Sequence, residues 1–144
     1  MLKKLYSFVF LFVISSQSFS TENVVVLDFD KAQEIQNSCI KYAKDNNLKI
    51  AIAIYDVHGN LKSFARMDGS SVGSSELAQW KGKSAAIYQY PTSESAKWNI
   101  PTAPHISIAT GGIPIKSKSG ITIGGIGVSG AQASIDVACA EAGL

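Results

Sequence analysis

The chain has 144 residues, of which 17% are charged, with 13 lysines and arginines against 11 aspartates and glutamates. Typical domains carry about 25% charged residues. A chain so nearly neutral, with no basic stripe, lacks the means to hold a phosphate backbone, which excludes nucleic acid as a partner. Two cysteines, Cys39 and Cys139, are too few for a disulfide scaffold, and their spacing fits no zinc or CxxC motif.

Lys3 and Lys4, the apolar residues 5–14 and the small polar residues 15–20 have the three parts of a secretory signal peptide. The apolar core is about half the ~20 residues a membrane span requires. Cleavage is expected after Ser20, so residues 21–144 form one domain, exported to the periplasm or secreted, with no stable membrane span. Removing these twenty residues leaves 124 and takes away Lys3 and Lys4, so eleven basic residues then face eleven acidic ones. The low charged share points to surface buried in a homo-oligomer.

Residues 30–46 read as a helix with Asp30 as N-cap, Gln33 three residues on, and Ile35, Cys39, Tyr42 and Ala43 on one face. Residues 49–56 are a strand whose Ile50, Ile52 and Ile54 share one face, while Ala51 and Ala53 leave room on the other for a closely packed helix. His58-Gly59-Asn60 makes the turn into a second strand, residues 61–66, followed by a Gly/Ser-rich loop over 67–73. Residues 75–90 read as a helix interrupted by Gly82 and stopped by Pro91; Thr92 or Ser93 caps a short helix reaching about Trp98. Pro101 and Pro104 stiffen the connection to a short strand at 106–109.

Residues 113–116 and 121–128 are β-branched strands joined by a tight turn at Lys118-Ser119-Gly120. Ser129 opens a capping box with Gln132, and Ile135, Ala138, Cys139 and Ala142 follow at helical spacing. This order predicts an α+β domain: an antiparallel five-stranded sheet with flanking N-terminal, middle and C-terminal helices. Cys39 and Cys139 both fall on apolar faces of the terminal helices, where a bridge and two buried thiols are both open readings.

Several polar groups are candidates for chemistry. Arg66 ends a strand, Asp68 follows in the loop and Lys81 projects from the next helix; a guanidinium and an ammonium together suit a carboxylate, while an Arg66–Asp68 pair that merely pins the loop is the structural alternative. The helix start at Ser129, beside Gly111-Gly112, would offer free N–H groups to an anion. Gly124, Gly125 and Gly127 bare the backbone of one strand, for a flat ligand or for close packing. His58 and His105 are the two histidines: His58 sits in a turn, and His105 lies next to the strand leading to Thr110-Gly111-Gly112, a better place for a metal ligand. Gly82-Lys83-Ser84 is not a phosphate loop, because Leu77 stands where that motif requires glycine. There is no Gly-x-Ser-x-Gly elbow for a hydrolase, and no metal cluster.

GGIPI (111–115) and IGGIGVSGA (123–131), with Arg66-Met67-Asp68-Gly69, the helical set Ala78, Lys81, Ser84, Ala85 and Ala86, and Pro91-Thr92, occur in an order that resembles the GlcG/HbpS family of small haem-binding and haem-degrading proteins, the PduO C-terminal type of domain included. The resemblance runs from about residue 32 to residue 144. It implies a homo-oligomeric small-molecule-binding domain with haem as the ligand; Arg66, Asp68, Lys81, His105, Gly111, Gly112, Gly125 and Ser129 are the residues expected at the binding site, and His105, from its place after Pro104, is the candidate iron ligand. Some haem-binding relatives use a histidine near the start of the mature chain; residues 21–57 contain none. The rival readings are an exported binding protein or enzyme for a small organic acid, for which the sequence offers no general base, and a structural oligomer.

Overall fold

The computed structural model describes residues 25–144; the expected signal peptide, residues 1–20, lies outside them. Helix α1 (Phe29–Asp45) is followed by strands β1 (Ala51–Asp56) and β2 (Leu61–Arg66), helix α2 (Val72–Tyr88), the single turn α3 (Thr92–Ser95) with a 3-10 turn (Ala96–Trp98), strands β3 (Gly112–Lys116) and β4 (Thr122–Ser129), and helix α4 (Ala133–Glu141). The sheet is antiparallel throughout, in the order β2-β1-β4-β3.

The α+β class holds, but the sheet has four strands rather than five. Residues 106–109 pair with no strand. The backbone of Ser107 goes to side chains instead: its N–H donates to Ser84 Oγ at 2.9 Å, and Ser95 Oγ donates to its carbonyl at 3.0 Å. A segment satisfied this way has no need of a strand partner.

The sheet separates two packing environments. Ile50, Ile52, Ile54, Ile126 and Val128 face α1 and α4, meeting Ile35, Cys39 and Cys139 in one fully buried core. Each such aliphatic side chain contributes about 1.5–3 kcal/mol by leaving water. On the other face, Ala51, Ala53 and Tyr55 meet Ala78 and Ala86 of α2. Here the helix lies directly on the sheet. A Cβ at Gly127 would collide with the Ala78 carbonyl and the Gly82 nitrogen, and one at Gly82 would stand 2.7 Å from the Ala53 carbonyl. Gly82 therefore does not interrupt the helix; it lets α2 touch the strands.

Four helix starts differ from their sequence reading. Thr92 and Ser93 cap nothing at α3, whose N-cap is Pro91, without a side-chain cap bond. Asp28, not Asp30, caps α1, accepting from the Lys31 N–H at 2.7 Å. Ser71 caps α2, which begins at Val72, three residues before the expected start, and accepts from the Ser74 N–H. Ser129 caps nothing: it is the buried last residue of β4, paired with Ala51, and Gly130 (φ +140°) turns the chain before α4 begins after Gln132. Strand pairing outweighed the capping box. The buried face of α4 is Asp136, Cys139 and Ala140, so a carboxylate occupies the middle of what reads as an apolar stripe, and Ala142 is exposed.

Cys39 and Cys139 are bridged, with Cα atoms 4.9 Å apart and both side chains buried. The bridge ties α1 to α4 across 100 residues of chain.

Candidate functional site

The sequence-singled residues fall in four places. Arg66 ends the edge strand β2 and folds back on its own loop, its Nε and Nη2 donating to the Ser70 carbonyl at 3.0 and 2.6 Å. The loop is pinned by that carbonyl and not by an Arg66–Asp68 pair; Asp68 is exposed and makes no ion pair among the described residues. A polar hollow of about 150 Å³ lies over residues 66–69.

Lys81 is elsewhere, buried beneath α4. Its Nζ donates to the Val128 carbonyl at 2.8 Å and to Asp136 Oδ2 at 3.0 Å. The other carboxylate oxygen of Asp136 accepts from the Ala131 N–H at 3.0 Å. Burial pushes the Asp136 carboxyl above the usual carboxylate range, only partly opposed by the Lys81 hydrogen bond and charge and by the Ala131 N–H. The ammonium that was to hold a ligand carboxylate holds one from its own chain. Sequence reading missed Asp136, because its partner is 55 residues away; the only signal was an acid three residues before Cys139 on an apolar helix face.

Gly111 and Gly112 sit beside this pair. Gly111 (φ +125°) passes so close that a Cβ would be 2.8 Å from Lys81 Nζ, and the Gly112 N–H donates to Thr92 Oγ1 at 2.9 Å. Pro91, Ser93, Thr110, Val137 and Glu141 complete a hollow of about 200 Å³ there. The bare backbone of Gly125 is covered by α2: a Cβ would collide with the Ala86 nitrogen and lie 2.7 Å from the Gly82 carbonyl.

The histidines are also apart. His105 is exposed at φ +61°, just after Pro104, whose carbonyl accepts from Tyr88 Oη at 2.7 Å. It lines none of the four hollows described here. His58 does line one: a mostly apolar cleft of about 540 Å³ between residues 25–29, the β1–β2 turn and the start of β4. Val25, Val26, Phe29 and Ile121 form exposed parts of its wall, and Lys62 and Asp56 join His58 on the polar side.

Asp56 fixes that turn. Its Oδ1 accepts from the His58 and Asn60 N–H groups, each at 2.9 Å, and its Oδ2 from Asn60 Nδ2 at 3.1 Å. Burial raises the Asp56 carboxyl, but these bonds from Asn60 and His58, with the His58 charge, outweigh it and leave the group below the usual carboxylate range. The His58 ring itself makes no hydrogen bond or ion pair within the described residues. No group of three or more His, Cys, Asp or Glu is placed to hold a bare metal ion among the described residues. What this cleft offers is an apolar slot of ligand size with one free imidazole on its wall.

No curated protein sequence is recognisably similar to the chain. Solved structures are. A double mutant of Streptomyces reticuli HbpS superposes with a TM-score of 0.78 at 26% identity, covering 90% of this chain and 92% of that one. Klebsiella pneumoniae protein ORFY gives 0.78 at 24%, covering 89% and 95%, and the PduOC–haem complex gives 0.76 at 24%, covering 83% and 93%. The sequence pattern of the family described as "Haem degrading protein HbpS-like" matches residues 27–144. The chain belongs to that HbpS-like family of haem-degrading proteins.

Proposed function

We propose that this protein is an exported haem-binding protein, with the haem seated in the cleft beside the β1–β2 turn and His58 as the iron ligand. The observation that carries the reading is the unpartnered imidazole of His58 on the wall of a mostly apolar cleft of about 540 Å³. Haem iron is commonly held by histidine, and the apolar walls suit the macrocycle. Family membership supports the ligand, since fold alone would not. When bound, the haem supplies the iron's ligand-binding and redox chemistry. This chain's residues would supply the rest: Val25, Phe29 and Ile121 would offer apolar surface to its face, and Asp56 holds the turn that carries His58.

The Cys39–Cys139 bridge supports export, because disulfides persist in oxidising compartments. No helix among the described residues is long and apolar enough to cross a membrane. Self-association is part of the same proposal, supported by Leu61 and Phe64, which stand exposed on the edge strand β2.

Haemin titration followed at the Soret band tests the site. Wild type and His105→Ala are expected to give the same saturable, shifted band, and His58→Ala to lose the shift. A band that survives His58→Ala and disappears in His105→Ala would move the iron to the exposed connection. The absence of any saturable band would favour a small organic acid as the ligand.

A further inference from the structure

The cleft that holds His58 does not end at residues 25–28. A second hollow, of about 640 Å³, adjoins it, and Val25, Val26, Asp28 and Ile123 line both. The two share this largely apolar lining and differ in charge. At the His58 end, one lysine (Lys62) stands against two aspartates (Asp28 and Asp56). At the far end, the lining holds three lysines (Lys31, Lys116 and Lys118) with Asp28 and the last residue, Leu144.

Lys31 is engaged with Glu34 at 3.0 Å, whereas Lys116 and Lys118 make no ion pair among the described residues. The turn that carries them is well fixed. The Ser117 N–H donates to the Ile121 carbonyl at 2.8 Å, the Gly120 N–H to the Ser117 carbonyl at 2.9 Å, and the Ile121 N–H to Ser117 Oγ at 3.2 Å. Two cations thus sit on a hydrogen-bonded turn beside an apolar floor, with no ion-pair partner among the described residues.

We propose that Lys116 and Lys118 form the carboxylate subsite of these adjoining hollows, selecting an apolar ligand that carries carboxylates at one edge and orienting that edge away from His58. The proposal rests on the haem reading of the preceding subsection and adds to it which groups of the ligand are recognised and by what. A carboxylate edge turned toward Asp56 would meet like charge; turned toward the β3–β4 turn it meets two ammonium groups that have no ion-pair partner among the described residues.

The test compares two probes, haemin and haemin dimethyl ester, which share iron and macrocycle and differ in the carboxylates. Wild type is expected to bind the free acid about tenfold more tightly, as two partly exposed charge pairs allow, with the preference shrinking as salt is raised. Lys116→Ala/Lys118→Ala should bind both probes with the ester's affinity, while keeping the His58-dependent Soret shift and the wild-type melting temperature. Equal binding of acid and ester by wild type would overturn the subsite and leave the haem site standing. So would a preference that survives the double variant, or one removed by Lys62→Ala alone. Loss of His58 dependence in wild type is the separate outcome that overturns the haem reading itself.

Discussion

Lys81 Nζ and Asp136 Oδ2 lie 3.0 Å apart, with both side chains almost wholly removed from solvent, and the pair joins α2 to α4 through the end of β4. Taking one partner away strands the other charge in the interior, which costs about 3–5 kcal/mol. We expect Lys81→Met to be destabilised by that amount at neutral pH. Lys81→Met/Asp136→Leu should recover most of it, since buried pairs are often replaceable by apolar residues. The pH dependence has a definite sign. A carboxyl whose folded pKa is raised keeps its proton longer in the folded state, so stability falls as pH rises through that raised value. Lys81→Met, having lost the opposing charge, should therefore suffer more at pH 8 than at pH 5 in urea denaturation. A pH-independent loss would contradict this account.

Gly125 and Gly127 have α2 backbone where side chains would otherwise be. Gly125→Val is expected to disrupt the fold before it affects any ligand, with a loss of several kcal/mol from overpacking against a main chain that cannot yield. Circular dichroism melting and haemin titration of the one variant decide the matter. A fully folded Gly125→Val protein that fails only to bind would return this glycine to the ligand site.

The bridge between Cys39 and Cys139 closes a loop of about 100 residues, worth about 4–5 kcal/mol on the chain-entropy model. Thiol titration of the denatured protein should find none before reduction and two per chain after it. Cys39→Ala/Cys139→Ala should melt well below the oxidised protein. Two titratable thiols without reductant would remove the bridge and with it the argument for an oxidising compartment.

Asp56 makes the opposite pH prediction. Its folded pKa is lowered, so its contribution is present above the unfolded carboxyl value and fades as pH falls through the lower folded value. Asp56→Asn should melt below wild type at pH 6, and the gap should close in the acid range below about pH 4. The gap is expected to be small, because the group is partly solvent-accessible. A gap that persists unchanged in acid would mean that the carboxylate's charge plays no part in fixing the His58 turn.

Most of the architecture was legible in the chain itself. The alternation of isoleucine and alanine over residues 50–54 assigned each face of β1 its partner, because side chains on a strand alternate with period two. The motif order from Arg66 to Ala131 carried the family, which a match over residues 27–144 bears out. What the chain could not reveal was which polar groups would spend their hydrogen bonds on each other. Lys81 found Asp136, Arg66 found the Ser70 carbonyl, and residues 106–109 found Ser84 and Ser95 instead of a strand. The first and last of these are set by tertiary proximity, where the cost of leaving a buried polar group unpaired outweighs local propensity, whereas Arg66 reaches only four residues along its own loop. The same holds for the cleft. His58 reads as a solvated turn residue and is exposed in the structure as well; what the sequence could not show is that residues 25–28 and the start of β4 come beside its turn and form a cleft there.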